Sequence, residues 1–142
     1  MTSAKDVYAV GDAAEYDGKV WGMIPPALDM ARIASKKVVG VESPDYLGTV
    51  PSNTLKVMGI DLTSIGIVRG EHEKEDANLE EVRAVNDDRS VYKKFVLKDD
   101  RMIGAILLGS KKEAAKVAKL IKEGGSVANF KDRLQDPEYD FS

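Results

Sequence analysis

The chain has 142 residues, 43% apolar and 32% charged, with a net charge of −3. That is room for one ordinary domain, or one domain plus a piece of another, with the composition of a soluble rather than a disordered protein. It has no cysteine and one histidine, which excludes disulfides, zinc–thiolate and iron–sulfur sites, a cysteine nucleophile and histidine clusters; no metal site is expected, and no catalytic residue is assigned.

Val7-Tyr8-Ala9-Val10 is a short apolar run that ends at Gly11 and reads as a buried strand, with Asp12 at its carboxyl end. Asp17-Gly18 is a turn signal. Pro25-Pro26 opens a helix expected over 27–39, because proline in the first turn forfeits only N–H groups that would lack a partner there. Leu28, Ala31, Ala34 and Val38 make one apolar face of it, and Ala27, Met30, Ile33 and Ala34 another. Such a helix wants cover on two sides. Gly40 is its stop.

Residues 41–48, with Ser43-Pro44-Asp45 and Gly48, read as a linker, and a boundary is expected there: 1–43 before it, 44–142 after it. Strand signals follow over 55–60 and 65–68, with a bend at Met58-Gly59. Residues 70–78 are expected as loop, with His72 a solvated residue in it. A meander comes next, with strands over 80–86, 91–98 and 101–108 and turns at Asp87-Asp88 and Asp99-Asp100. Gly104 within the last strand signals a bulge or close packing. Ser110 and Glu113 have the spacing of a capping box. The helix they open carries Ala114, Val117, Ala118 and Ile121 inward and Lys112, Lys116 and Lys119 outward, and stops at Gly124-Gly125. A shorter helix is expected to align Val127, Phe130 and Leu134 before Pro137. The fold class is α+β: an antiparallel or mixed sheet with one or two C-terminal helices, preceded by a strand–helix piece of an α/β unit.

Charge is unevenly spread. Residues 71–88 carry −6 and residues 89–122 carry +7. The basic stretch is either a solvated helix beside an acidic loop or a face that meets an acidic partner. Residues 1–40 look like half of an α/β unit whose helix lacks its own sheet. In doubly wound sheets, ligands sit at strand carboxyl ends and helix N-termini. Asp12 is at such an end, as a hydrogen-bond acceptor for a ligand hydroxyl or as a plain turn residue. Trp21 is either packing at the helix entry or a shield for a ligand.

Two stretches carry a resemblance. Thr2 and Val7-Tyr8-Ala9-Val10-Gly11-Asp12-Ala13-Ala14-Glu15, continued by Lys19-Val20-Trp21-Gly22-Met23-Ile24-Pro25-Pro26-Ala27, resemble the second FAD fingerprint of pyridine nucleotide–disulfide-oxidoreductase-type flavoproteins. With Gly48-Thr49-Val50-Pro51-Ser52-Asn53-Thr54-Leu55-Lys56-Val57 and the residues up to Gly66, the chain is similar to NADH:rubredoxin reductases and to the FAD subunit or domain of NADH-dependent nitrite reductases. The resemblance implies that Gly11 and Asp12 meet the ribityl chain of FAD, and that Ile24 gives its backbone N–H to the flavin pyrimidine edge. Where the family often has Gln-Gly or Gln-Ala in the helix, this chain has Met30-Ala31.

Neither Gly-x-Gly-x-x-Gly loop that such enzymes need for FAD and NADH is present. The chain is therefore expected to be a C-terminal fragment: residues 1–43 the last strand–helix of an FAD-binding domain, 44–142 the reductase C-terminal domain. Its expected partners are the missing N-terminal FAD/NADH-binding half and an acidic electron-transfer protein, with self-association through exposed residues 1–40. Alone, it is expected not to retain FAD and not to catalyse. The other reading is a non-enzymatic α+β module that docks an acidic partner through Lys112, Lys116 and Lys119. Nucleic acid and membranes are not expected partners, because the chain is net negative, has no apolar run near the ~20 residues of a span and opens on no secretory signal. A cytoplasmic location follows from the same features.

Overall fold

A computed structural model describes residues 2–68 and 78–141. The expected loop over 70–78, His72 included, lies outside the described residues apart from Asn78. The chain divides into two compact units, Met1–Pro51 and Ser52–Ser142.

In the first unit, residues 7–10 make no sheet ladder. Val10 is extended, at φ −141° and ψ 158°, but a ladder needs a second strand beside it; the backbone groups of Val7 pair instead with Thr2 and Ala4 in a local turn. A single 3-10 turn, Gly11–Ala13, follows. Tyr16 and Lys19 then exchange backbone hydrogen bonds across Asp17-Gly18. Both turn residues are left-handed, at φ 52° and 72°, a conformation glycine and aspartate tolerate.

Helix α1 spans Ile24–Val38, with prolines in its first turn, and so starts three residues earlier than expected. It ends where Val41 N–H donates to Lys36 C=O and Gly40 N–H to Lys37 C=O, around Gly40 at φ 72°. That pairing satisfies two of the last-turn carbonyls. Only one of its two apolar faces is covered. Pro26 and Met30 are buried, whereas Leu28 is 51% and Val38 65% exposed.

The second unit is a five-stranded sheet, all antiparallel, in the order β1-β2-β5-β4-β3. Its strands are β1 (Ser52–Val57), β2 (Ile60–Gly66), β3 (Leu79–Asn86), β4 (Val91–Lys98) and β5 (Arg101–Leu108). Helix α2, Lys111–Glu123, lies on β2 and β5. The tight turns fall at Met58-Gly59 and Asp99-Asp100, all four residues at positive φ, and Asp87–Ser90 links β3 to β4. The register slips at Val96/Leu97, where Val96 faces Gly104 and Leu97 faces Met102. Ile103 is thus the extra residue of a bulge. Both readings of Gly104 hold, because a Cβ there would sit 1.8 Å from the Ile67 carbonyl oxygen.

Period-two alternation puts one row of core residues straight across the sheet. Val82 pairs with Phe95, Phe95 with Ala105, and Ala105 with Ile65, all at most 4% exposed. The next row runs Ala84, Lys93, Leu107 and Thr63. Val117 of α2, Val127 and Leu134 complete the core with no exposed surface. The stretch expected as a short helix is a 3-10 helix, Lys131–Gln135, packed on β3.

Candidate functional site

Gly11, Asp12 and Ile24 all belong to the first unit. The 3-10 turn at Gly11–Ala13 packs against α1. Gly11 is left-handed at φ 67°, and a Cβ on it would lie 3.3 Å from the Ala27 Cβ. Glycine therefore serves twice, permitting the backbone twist and letting the turn settle on the first turns of α1. This brings Asp12 to the neighbourhood of the helix start that carries Ile24. The Asp12 side chain is exposed.

An α-helix leaves its first N–H groups without intrahelical partners. Here the early start changes the inventory. Pro25 and Pro26 have no N–H, and Ala27 and Leu28 fall within reach of the carbonyls of Met23 and Ile24. The free donors are thus Met23 and Ile24, rather than Ile24, Ala27 and Leu28. Met23 is extended, at φ −140° and ψ 149°, and provides no side-chain cap. No acidic residue stands in the first turn. The first turn of this 15-residue helix thus supplies no carboxylate of its own to its positive end, an arrangement that favours an electron-rich group placed on it.

One more donor stands near this start in sequence. The indole Nε1 of Trp21 is buried and has no hydrogen-bond partner among the described residues. A buried unpaired donor costs free energy of ~1–3 kcal/mol, so an acceptor supplied from outside would relieve it. An exposed carboxylate and two uncapped N–H groups suit the hydroxyls and heteroatoms of a flavin. They do not cradle its pyrophosphate.

A hollow of the first unit, about 360 Å³, is lined by Tyr8, Val10, Tyr16, Met30, Ile33 and Tyr46 among others, and neither Asp12 nor Ile24 lines it. Its rim is held by local contacts. Tyr16 and Tyr46 meet edge to face at 4.9 Å. Tyr46 Oη and Thr49 Oγ1 are 2.9 Å apart, and Thr49 donates to Asp29 at 3.0 Å. Lys37 donates to Asp45, which holds that carboxyl below its usual range.

In the second unit the expected capping box is absent. Ser110 is the N-cap residue of α2 but makes no side-chain cap; its Oγ donates instead to Glu113 Oε1 at 2.8 Å. The reason lies on β4. Lys93 is 2% exposed, and its Nζ donates to the same Glu113 oxygen at 2.8 Å and to the Tyr139 carbonyl at 3.0 Å. A buried ammonium needs a counter-ion far more than a helix end needs a second cap. The carboxylate therefore turns inward, and its Oε2 is left without a partner among the described residues.

The C-terminal segment was not singled out in the sequence. Tyr139 and Phe141 stack with each other and with Phe130, and Phe141 meets Phe95 at 5.7 Å. The Arg133 guanidinium lies 4.4 Å above the Tyr139 ring. Closely spaced aromatics at 130, 139 and 141 were the available signal.

Much of the opposed charge is used internally. Glu81 takes Lys94 at 2.8 Å and Arg83 at 2.7 Å, and hydrogen bonds from both hold its carboxyl below the usual range. Lys131 sits between Glu80 and Asp100, at 2.6 and 2.8 Å, which raises its ammonium well above the ordinary value. Lys112, Lys116 and Lys119 are exposed, as their spacing predicts. Among the described residues, no cluster of metal-ligating side chains occurs, and no helix is long and apolar enough to cross a membrane.

The antiparallel sheet with α2 on it is that of an α+β reductase C-terminal domain. A family model described as the rubredoxin NAD+ reductase C-terminal domain matches residues 51–125, more than half of the chain, and the chain belongs to this family. It is 33% identical over 129 residues to an NADH-rubredoxin oxidoreductase of Clostridium acetobutylicum, covering 91% of this chain and 32% of that protein. It is 29% identical over 138 residues to an assimilatory nitrate reductase electron transfer subunit of Bacillus subtilis, covering 97% of this chain and 17% of that one. The crystal structure of an NADH:rubredoxin oxidoreductase from Clostridium acetobutylicum superposes with a TM-score of 0.64 at 29% identity, over 92% of this chain and 32% of that one. The chain thus spans less than a third of the length of these relatives, which are NADH-dependent or electron-transferring oxidoreductases by name.

Proposed function

We propose that this chain is the C-terminal part of an NADH-dependent FAD oxidoreductase, and that it works with an N-terminal half carrying the FAD- and NADH-binding loops. Residues 1–43 are then the last strand–helix of the FAD-binding domain, and residues 44–142 the reductase C-terminal domain. Bound FAD would accept a hydride from NADH and pass electrons singly to an acceptor such as rubredoxin or a nitrite reductase centre. The names of the similar proteins support this reading.

The observation that carries it is the uncapped, acid-free start of α1 with the Gly11–Ala13 turn laid beside it. In this reading Asp12 accepts a hydrogen bond from a ribityl hydroxyl. Gly11 keeps the backbone close enough for that reach. Met23 and Ile24 donate their N–H groups to the pyrimidine edge, and the helix dipole favours negative charge there. In this reading Gly11, Asp12 and Ile24 bind and orient the flavin rather than transfer a proton or attack a substrate. The absence of cysteine fits work in the reducing cytoplasm.

The test is flavin retention. The chain alone should purify colourless, since one carboxylate and one helix terminus cannot offset the ~4–15 kcal/mol cost of immobilising a large ligand. Supplied with the N-terminal part of a similar NADH-rubredoxin oxidoreductase, it should hold FAD through gel filtration, and Asp12→Ala should reduce the bound fraction. Flavin bound by the unmodified chain alone overturns the need for an N-terminal half, and equal flavin in the variant and its parent removes Asp12 from the site.

A further inference from the structure

The exposed side of α2 has no role in the fold described above. Its sequence, Lys111–Glu123, holds five lysines and two glutamates. Lys112, Lys116 and Lys119 recur at i, i+4 and i+7, which places them on one face, with Lys122 at its margin; all four are exposed. Glu113, the acid of the helix's first half, points away into the pair with Lys93. Glu113 therefore does not neutralise the face.

That charge does little for stability. Lys116 meets Asp140 at 3.4 Å and Lys119 meets Glu123 at 3.9 Å, with side chains half or more exposed on both sides. Pairs this exposed contribute little to stability, and like charges one turn apart repel. The rest of the chain is net negative, so the face is a local reversal of sign, the pattern that orients an approaching partner.

The C-terminal segment shows how carboxylates approach this surface. Asp140 reaches Lys116, and Glu138 reaches Arg89 at 2.6 Å. Arg89, Lys112 and Glu138 share the lining of one open groove. Two acids of the chain thus lie along the border of the lysine face.

We propose that the lysine face of α2 is the docking surface for an acidic electron-carrying protein, and that Glu138 and Asp140 compete with that partner at its border. The identity of the partner rests on the proposed function; the surface itself rests on charge and exposure.

The experiment measures binding of an acidic rubredoxin to the intact chain by titration at low and at high salt. The expected result is salt-sensitive binding. The triple variant Lys112→Glu/Lys116→Glu/Lys119→Glu should weaken it by ~10-fold or more at low salt. The double variant Glu138→Gln/Asp140→Asn should tighten it by ~2-fold or more, and both variants should melt within a few degrees of the parent. Binding that ignores the lysine reversals overturns the surface, as does the absence of binding at low salt. Equal retention of the chain on heparin, with no binding of rubredoxin, overturns it in favour of a general polyanion surface. If rubredoxin binds as described but no N-terminal half restores flavin, the flavoenzyme reading fails and the docking surface stands.

Discussion

Lys93 offers a direct test of how the second unit is held together. It occupies the centre of a core row between Ala84 and Leu107, and its ammonium has two acceptors, Glu113 and the Tyr139 carbonyl. Glu113→Ala removes the carboxylate that pairs with it. Alanine is a good helix former, so any loss comes from the interior. Uncompensated burial of one partner of such a pair costs ~3–5 kcal/mol. A unit of this size has a total stability of ~5–13 kcal/mol, so the variant should lose a quarter or more of it. At ~4–8 °C per kcal/mol, the melting temperature should fall by at least ~12 °C. Urea titration followed by circular dichroism gives the free energy. Lys93→Met/Glu113→Leu replaces both charges with apolar groups of similar size and should return to within ~1 kcal/mol of the parent. The double-mutant cycle should then show a coupling of ~2 kcal/mol or more. A loss below ~1 kcal/mol in Glu113→Ala would refute the argument, because it would mean that water reaches Nζ freely.

Two further substitutions test other parts of the same unit. Gly104→Ala places a methyl against the Ile67 carbonyl and should cost ~3 kcal/mol by forcing β2 and β5 apart; an unchanged urea midpoint would show that the bulge absorbs it. Glu81 titrates below its ordinary value of 4.5 when folded. A depressed carboxyl stabilises the fold above its unfolded pKa and loses that effect as pH falls through the folded value. Glu81→Gln should therefore cost ~1 kcal/mol at neutral pH and nothing below the folded pKa, as urea midpoints across acidic pH will show; a constant difference would refute the assignment.

The elements that could be read from sequence are those whose causes are local. Asp99-Asp100 lies between two β-rich runs, and such a turn has few alternatives. The inward stripe of α2 follows from its own spacing, and Gly40 and Gly124 end their helices by their own conformation. Two of the misreadings involve a distant partner. Val7–Val10 has strand composition, but a ladder is a property of two segments. Ser110 and Glu113 have capping spacing, yet Lys93, some twenty residues away, takes the carboxylate. Ile24 was placed before the helix and lies within it, which altered the set of free donors at its start. Gly11 and Asp12 are singled out by a fingerprint alone. Their charge and exposure are ordinary, and only the contact with Ala27 distinguishes them.

The bond from Lys93 to Tyr139 ends on a main-chain oxygen, and this has a consequence for how the tail tolerates change. Any residue at 139 offers the same carbonyl, so substitution there leaves the bond intact and tests only the ring contacts. The count of residues from Leu134, anchored in the core, to that carbonyl is another matter. Removing or adding one residue within 135–138 would present the wrong oxygen to Nζ and shift Phe141 off Phe95 together. This stretch of chain acts as a ruler, and insertions and deletions in it should be far more damaging than replacements.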